Sequence, residues 1–219
     1  MIVANMKFSE LLAYLAVALR EDIRDLFEMH RAVREGCEKI HAKDIALLRA
    51  RGVESEAIDA PFDWNASGFR KLFRGRPGPG GGMEADAFAL GFFLIAYLTD
   101  GPRREAAERA VELTYAKYLP RDGETVCPLT GQRYFLGALK TILTNLEVFD
   151  RAEIIRISSD AGFARIEFNE SYSIFFVNRK DDPGKFKPLH REHVLLVPAL
   201  RSIFDFINAP ETSKSKAMA

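Results

Sequence analysis

The sequence predicts an α+β protein: helices first, then an antiparallel sheet, then one closing helix. Three observations carry that expectation. Apolar residues recur at intervals of three and four from Phe8 to Leu146, the period switches to two after Asp150, and Pro198 opens a last stretch of helical spacing.

Taken in order, Phe8, Leu11, Leu12, Leu15, Leu19, Ile23 and Leu26 fall on one helical face with Ser9 as its cap. Lys7 followed by "FSELLAYLAVAL" has the outline of an export signal. Glu10 interrupts that run, however, and the spacing continues through Ile23 and Phe27, so it reads as a helix of the mature protein. Val33, Cys37, Ile40, Ile45 and Leu48 extend a similar stripe to near Gly52, as a second helix or a bent continuation of the first. The acids and Pro61 of "VESEAIDAPFDWNA" end the pattern. Ser67 then caps a short helix with Phe69, Leu72 and Phe73 inward and Arg70, Lys71 and Arg74 outward.

The stretch from about Glu84 to Thr99 is apolar around most of its circumference and belongs at the centre of the helical part. Pro102 suits a first helical position, and "REAAERAVELTYAKYL" follows as a surface helix ended by Pro120, Asp122 and Gly123. Beyond Thr130, the residues Phe135, Leu139, Ile142, Leu143 and Leu146 fit one more helix. "EIIRIS", "FARIEFN" and "YSIFFVN" alternate, placing Ile155, Ile157, Ile166 and Phe168 on one face, with "SDAG" and "NES" as hairpin turns. "EHVLLV" offers a fourth strand, and the last helix turns Ile203, Phe204 and Ile207 inward. The expected organisation is a helical domain over 1–150, a β-meander of three to four strands plus helix over 151–208, and a tail, 209–219, too polar to order itself.

Composition narrows the function. With 219 residues, 47% hydrophobic and 11% aromatic, the chain can bury a real core. Lys plus Arg equals Asp plus Glu at 31 each, so no global field draws it to polyanions and any such binding is local. The longest apolar run, Ala87 to Leu98, has twelve residues against the roughly twenty a bilayer requires, so no membrane role is expected. Cys37 and Cys127 have no disulfide-framework spacing and suit a reduced cytoplasmic protein.

One stretch concentrates positive charge. Residues 64–82 hold Arg70, Lys71, Arg74 and Arg76 and no acid, and Gly78, Gly80, Gly81 and Gly82 let backbone amides approach an anion closely. A winged-helix reading follows, with the short basic helix at the major groove of double-stranded DNA and the glycine loop along its backbone. The same composition also describes a solvated linker or a contact for a protein partner. A Walker loop is excluded because Met83, Glu84 and Ala85 follow Gly82, and the dinucleotide fingerprint lacks its strand and its third glycine.

The leading helical segment, the loop "GRPGPGGG", the pair "ADAFALGFFLIAYLTDGPRREAAERAVEL" and the strand-rich end resemble a group of prophage-associated proteins of proteobacteria without an assigned activity. The resemblance covers about half the chain and implies a helix-turn-helix or winged-helix DNA reader in the leading part. The acidic insert "VESEAIDAPFDW" departs from that pattern by separating the leading helices from the glycine loop.

The remaining constellations are weaker. Cys37 with His41, and His190 with His193, have types and spacings that zinc accepts, yet nothing joins the two pairs, so no metal or cofactor is expected. Cys127 in "VCPLTG" has no neighbouring base, and the acid pairs are those of solvated surfaces. An enzyme is unsupported. Arg179, Lys180, Lys185, Lys187 and Arg191 form a second basic patch. The aromatics of "YSIFFV" and "FNESY" are of the types that stack on unpaired bases, but two-residue alternation more simply buries Ile174 and Phe176 while exposing Phe175, or the reverse, so a place in the core is favoured. The expected function is a cytoplasmic DNA-binding or transcription-regulating protein of prophage type. The alternative is a non-enzymatic module, or homodimer, that binds a polypeptide through a sheet edge or helical face.

Overall fold

The computed structural model describes residues 8–50, 86–99, 101–120, 124–158, 162–169, 171–177 and 191–208. In chain order these form α1 (Phe8–Leu19), α2 (Ile23–Ala50), α3 (Ala87–Leu98), a 3-10 turn at Arg103–Glu105, α4 (Ala106–Thr114) and β1 (Lys117–Tyr118). Then come α5 (Phe135–Thr144), α6 (Leu146–Arg151), β2 (Ala152–Ser158), β3 (Phe163–Phe168), β4 (Ser171–Phe176), β5 (His193–Leu196), a 3-10 turn at Val197–Leu200 and α7 (Arg201–Asn208). The α+β class holds. No described helix is long and apolar enough to cross a membrane.

The first stripe is not one helix. Arg20 adopts φ +56°, and the Glu21 amide donates to the Ala16 carbonyl at 3.0 Å, which closes α1. Asp22 restarts the chain by accepting from the Arg24 amide at 2.8 Å. This turn moves Ile23 out of register, and it is exposed rather than inward, whereas Leu26, Val33 and Cys37 are buried. Ser9 lies inside α1 and is not its cap.

Helix α3 is the centre that its composition implied. Asp86 accepts from the Ala89 amide at 2.7 Å to cap it, and every residue except Phe88 and Tyr97 is buried. Gly91 permits close approach to α5, since a Cβ there would meet Leu136 Cδ1 at 3.0 Å. Pro102 precedes the 3-10 turn instead of opening α4.

Two boundaries differ for tertiary reasons. Helical spacing in "ELTYAKYL" predicted a helix to Leu119, but α4 ends at Thr114 and Lys117–Tyr118 become a fifth strand. Tyr118 is buried against Phe175, with ring centroids 5.9 Å apart, and its amide donates to the Arg133 carbonyl at 2.8 Å. Long-range pairing thus replaces local helix propensity. The expected single helix after Thr130 breaks at Asn145, whose side chain accepts from the Val148 amide and caps α6; Leu146 is consequently exposed.

All strand pairs are antiparallel, in the order β1-β4-β3-β2-β5. The meander matches the alternation read from the sequence, and β5 adds beside β2. Gly162, at φ +65°, occupies the left-handed region in the first hairpin connection. Ile155, Ile157, Ile166, Phe168 and Phe175 all face inward, as do Ile203, Phe204 and Ile207 of α7. One cluster of buried side chains includes Leu12, Phe93 and Phe135 from the helices together with Ile157, Ile166 and Phe175 from the sheet.

Candidate functional site

The sheet has an inner face that packs on helices and an outer face whose composition is unusual. Directly opposed residues in a ladder share a face. Lys117 opposes both Tyr134 and Phe176, and Phe176 opposes Phe163, so these four side chains form one row on the outer face. Ile174, Arg165, Arg156 and Val194 form the next, and Tyr172, Glu167, Ile154 and Leu196 a third. Tyr134, Tyr172, Val194 and Leu196 are exposed, while Phe163, Arg165, Ile174 and Phe176 are half-buried.

Ring and charge are interleaved there. The Phe163 and Phe176 rings have centroids 5.9 Å apart. Arg165 stands over the Tyr172 ring at 4.3 Å, and Arg133 over Tyr134 at 5.9 Å. Tyr115 meets Tyr134 edge-on at 6.2 Å; burial, then the neighbouring Tyr134, pushes the Tyr115 phenol up to about 12, which keeps it neutral.

Glu167 organises the cations. It lies 2.7 Å from Arg156 Nε and 3.1 Å from Arg165 Nη2, and Glu192 lies 3.8 Å from Arg156 Nη1. The hydrogen bond to Glu167 is the main cause that raises Arg156 above the ordinary guanidinium value. Each guanidinium carries five N–H donors, so one shared carboxylate holds both in place without saturating them. Arg165 Nε is buried with no hydrogen-bond partner. Among the described residues Lys117, Arg156 and Arg165 share this face with Glu167, and Glu192 reaches Arg156 from beside β5.

The sequence-derived site residues stand apart from this surface. Arg70, Lys71, Arg74, Arg76, Gly78, Gly80, Gly81 and Gly82 lie outside the described residues, as do Arg179, Lys180, Lys185 and Lys187. Arg191 is exposed just before β5. Of the zinc-type residues, Cys37 is buried in the core and His193 opposes Ile157 on the inner side of the sheet; His190 and the His41 side chain are outside the described residues. Among the described residues no group of three His, Cys, Asp or Glu side chains gathers as for a metal. Cys127 is buried, and its Sγ shares a hydrogen bond of 3.1 Å with Ser173 Oγ.

Comparison with family models, with curated proteins and with solved structures finds no match to this chain.

Alternation in β2 and β3 already implied that Arg156 and Arg165 share the face opposite Ile155 and Ile166. Lys117 and Tyr134 carried no such signal, because β1 has helical spacing in the sequence and exists only by pairing.

Proposed function

We propose that this chain is a non-enzymatic nucleic-acid-binding protein that uses the outer face of its sheet. One observation carries the reading: four aromatic rings, Tyr134, Phe176, Phe163 and Tyr172, are interleaved with Lys117, Arg156 and Arg165 on the outer face of the sheet, with Lys117, Tyr134 and Tyr172 exposed and the others half-buried. Rings supply stacking and cations supply phosphate contact, the two parts of sequence-tolerant recognition. The basic stretch Arg70, Lys71, Arg74 and Arg76, with the glycine amides from Gly78 to Gly82, adds phosphate contacts in this reading. A regulatory role of prophage type belongs to the same proposal and rests on the sequence resemblance.

Fluorescence anisotropy of labelled nucleic acid across a salt series tests it. Three phosphate contacts give a log-log salt slope of about −2 on single strands or −3 on duplex. Absence of binding at about 50 mM salt would remove the reading, because the electrostatic contribution is large there.

A second reading has its own observation. On β5, Val194 and Leu196 are 46% and 57% exposed, and His193–Leu196 carries no proline, lysine or acid to protect an edge. A polypeptide strand added to that edge would bind through main-chain hydrogen bonds and remain bound as salt rises.

A further inference from the structure

We infer that the nucleic acid held by this face is single-stranded, with successive bases stacked on the row formed by Tyr134, Phe176 and Phe163. The inference rests on the nucleic-acid reading above and names the form of ligand that the same surface takes.

Geometry argues against a duplex. Strands lie about 4.8 Å apart, so a five-stranded face is about 19 Å wide, whereas the major groove is about 12 Å wide and admits a helix or a two-stranded ribbon. Pressed against the outside of a duplex, the sheet would reach phosphates, but its rings would meet no base face. Paired bases stack on each other; only unpaired ones can be splayed onto aromatic side chains.

The row fits that use. Tyr134, Lys117, Phe176 and Phe163 follow one another across neighbouring chain segments in register, so the rings are presented in sequence with a cation among them. Arg165 and Arg156 oppose each other two residues along their strands, a displacement of about 7 Å. Bases over the rings therefore leave a sugar-phosphate chain within reach of guanidiniums that Glu167 already fixes in position. Stacking platforms of this kind hold about two or three bases per sheet. Charge separates this occupant from a peptide: Lys117 lies in the row of rings and Arg165 and Arg156 in the row beside it, whereas a strand-forming peptide needs only the apolar edge at Val194 and Leu196.

The test uses the full chain and a fluorescein-labelled oligonucleotide of about 12 nucleotides and mixed sequence, offered as single-stranded DNA, as single-stranded RNA and as duplex DNA. Either single strand should bind at least about tenfold more tightly than the duplex. The pair Phe163→Leu with Phe176→Leu keeps an apolar side chain at each half-buried site and removes the ring; it should lose about tenfold or more on single strands. Tyr134→Leu, at a position 40% exposed, carries little folding risk and should lose about fivefold. Equal or tighter binding of duplex overturns the inference and leaves the nucleic-acid reading standing. Binding of none of the three probes overturns both. Wild-type single-strand affinity in both ring variants, with thermal unfolding unchanged, overturns the stacking row.

Discussion

The guanidinium of Arg165 on β3 lies 4.3 Å from the ring centroid of Tyr172 on β4, diagonally across the pair of strands, while its Nη2 is 3.1 Å from Glu167. One cation is thus positioned by a ring and a carboxylate that oppose each other in the neighbouring row. A double-mutant cycle with Arg165→Gln and Tyr172→Leu, read by urea unfolding, should give a coupling of about 0.5–1 kcal/mol. A coupling indistinguishable from zero would mean that the stack does not order Arg165.

Lys117 stands among the rings and is exposed on the short edge strand. Lys117→Glu should leave the unfolding temperature within a few degrees and flatten the salt slope of nucleic-acid binding by about 0.7–0.9. An unchanged slope would place phosphate elsewhere on the molecule.

Gly36 of α2 packs on Ala107 of α4 so tightly that an added Cβ would lie 2.6 Å from the Ala107 Cβ. Alanine favours an isolated helix by about 1 kcal/mol over glycine, but overpacking a fixed contact costs about 1–3 kcal/mol. The second effect is the larger. Gly36→Ala should destabilise by about 1 kcal/mol in chemical denaturation, and adding Ala107→Gly should recover part of that loss. A stabilised Gly36→Ala would show that the two helices can separate slightly at no cost.

His30 stacks on Phe8, ring centroids 4.9 Å apart, and burial followed by the nearby Arg34 charge lowers its pKa to about 4. The imidazole is therefore held neutral in the fold. Between about 6.5 and 4 the unfolded chain binds a proton that the folded one refuses, so stability falls as pH drops through that window, by up to about 1.4 kcal/mol per unit. Above the unfolded value this contribution is fully present. Urea midpoints at several pH values should show a shallower acid slope for His30→Gln than for wild type; equal slopes would assign the acid sensitivity to carboxylates.

Both cysteines are buried, and burial first, then Glu38, pushes the Cys37 thiol up to about 12. At pH 8 neither should react with iodoacetamide in the native state at a rate above that of unfolding, and both should be modified in denaturant. Rapid native-state alkylation of one thiol would reveal local opening around it.

Periodicity alone defined the helical leading part, the buried α3, the β2-β3-β4 meander and the inward positions of α7, because in each the repeat of apolar residues matches the geometry of the element. It also separated Arg156 and Arg165 from Ile155 and Ile166. Local pattern could not show where helices stop when a turn or a distant partner decides. Arg20 takes its left-handed turn amid continuous apolar spacing, Asn145 caps a new helix inside an apolar run, and Lys117–Tyr118 pair with Phe175 and Phe176, more than fifty positions later. The candidate surface depends on that last pairing. The sequence by itself determined the class of fold and the alternation that separates Arg156 and Arg165 from the core. Only the tertiary structure decided that Tyr134, Lys117, Phe176 and Phe163 form one row, since cross-strand register is set by contacts between residues far apart in the chain.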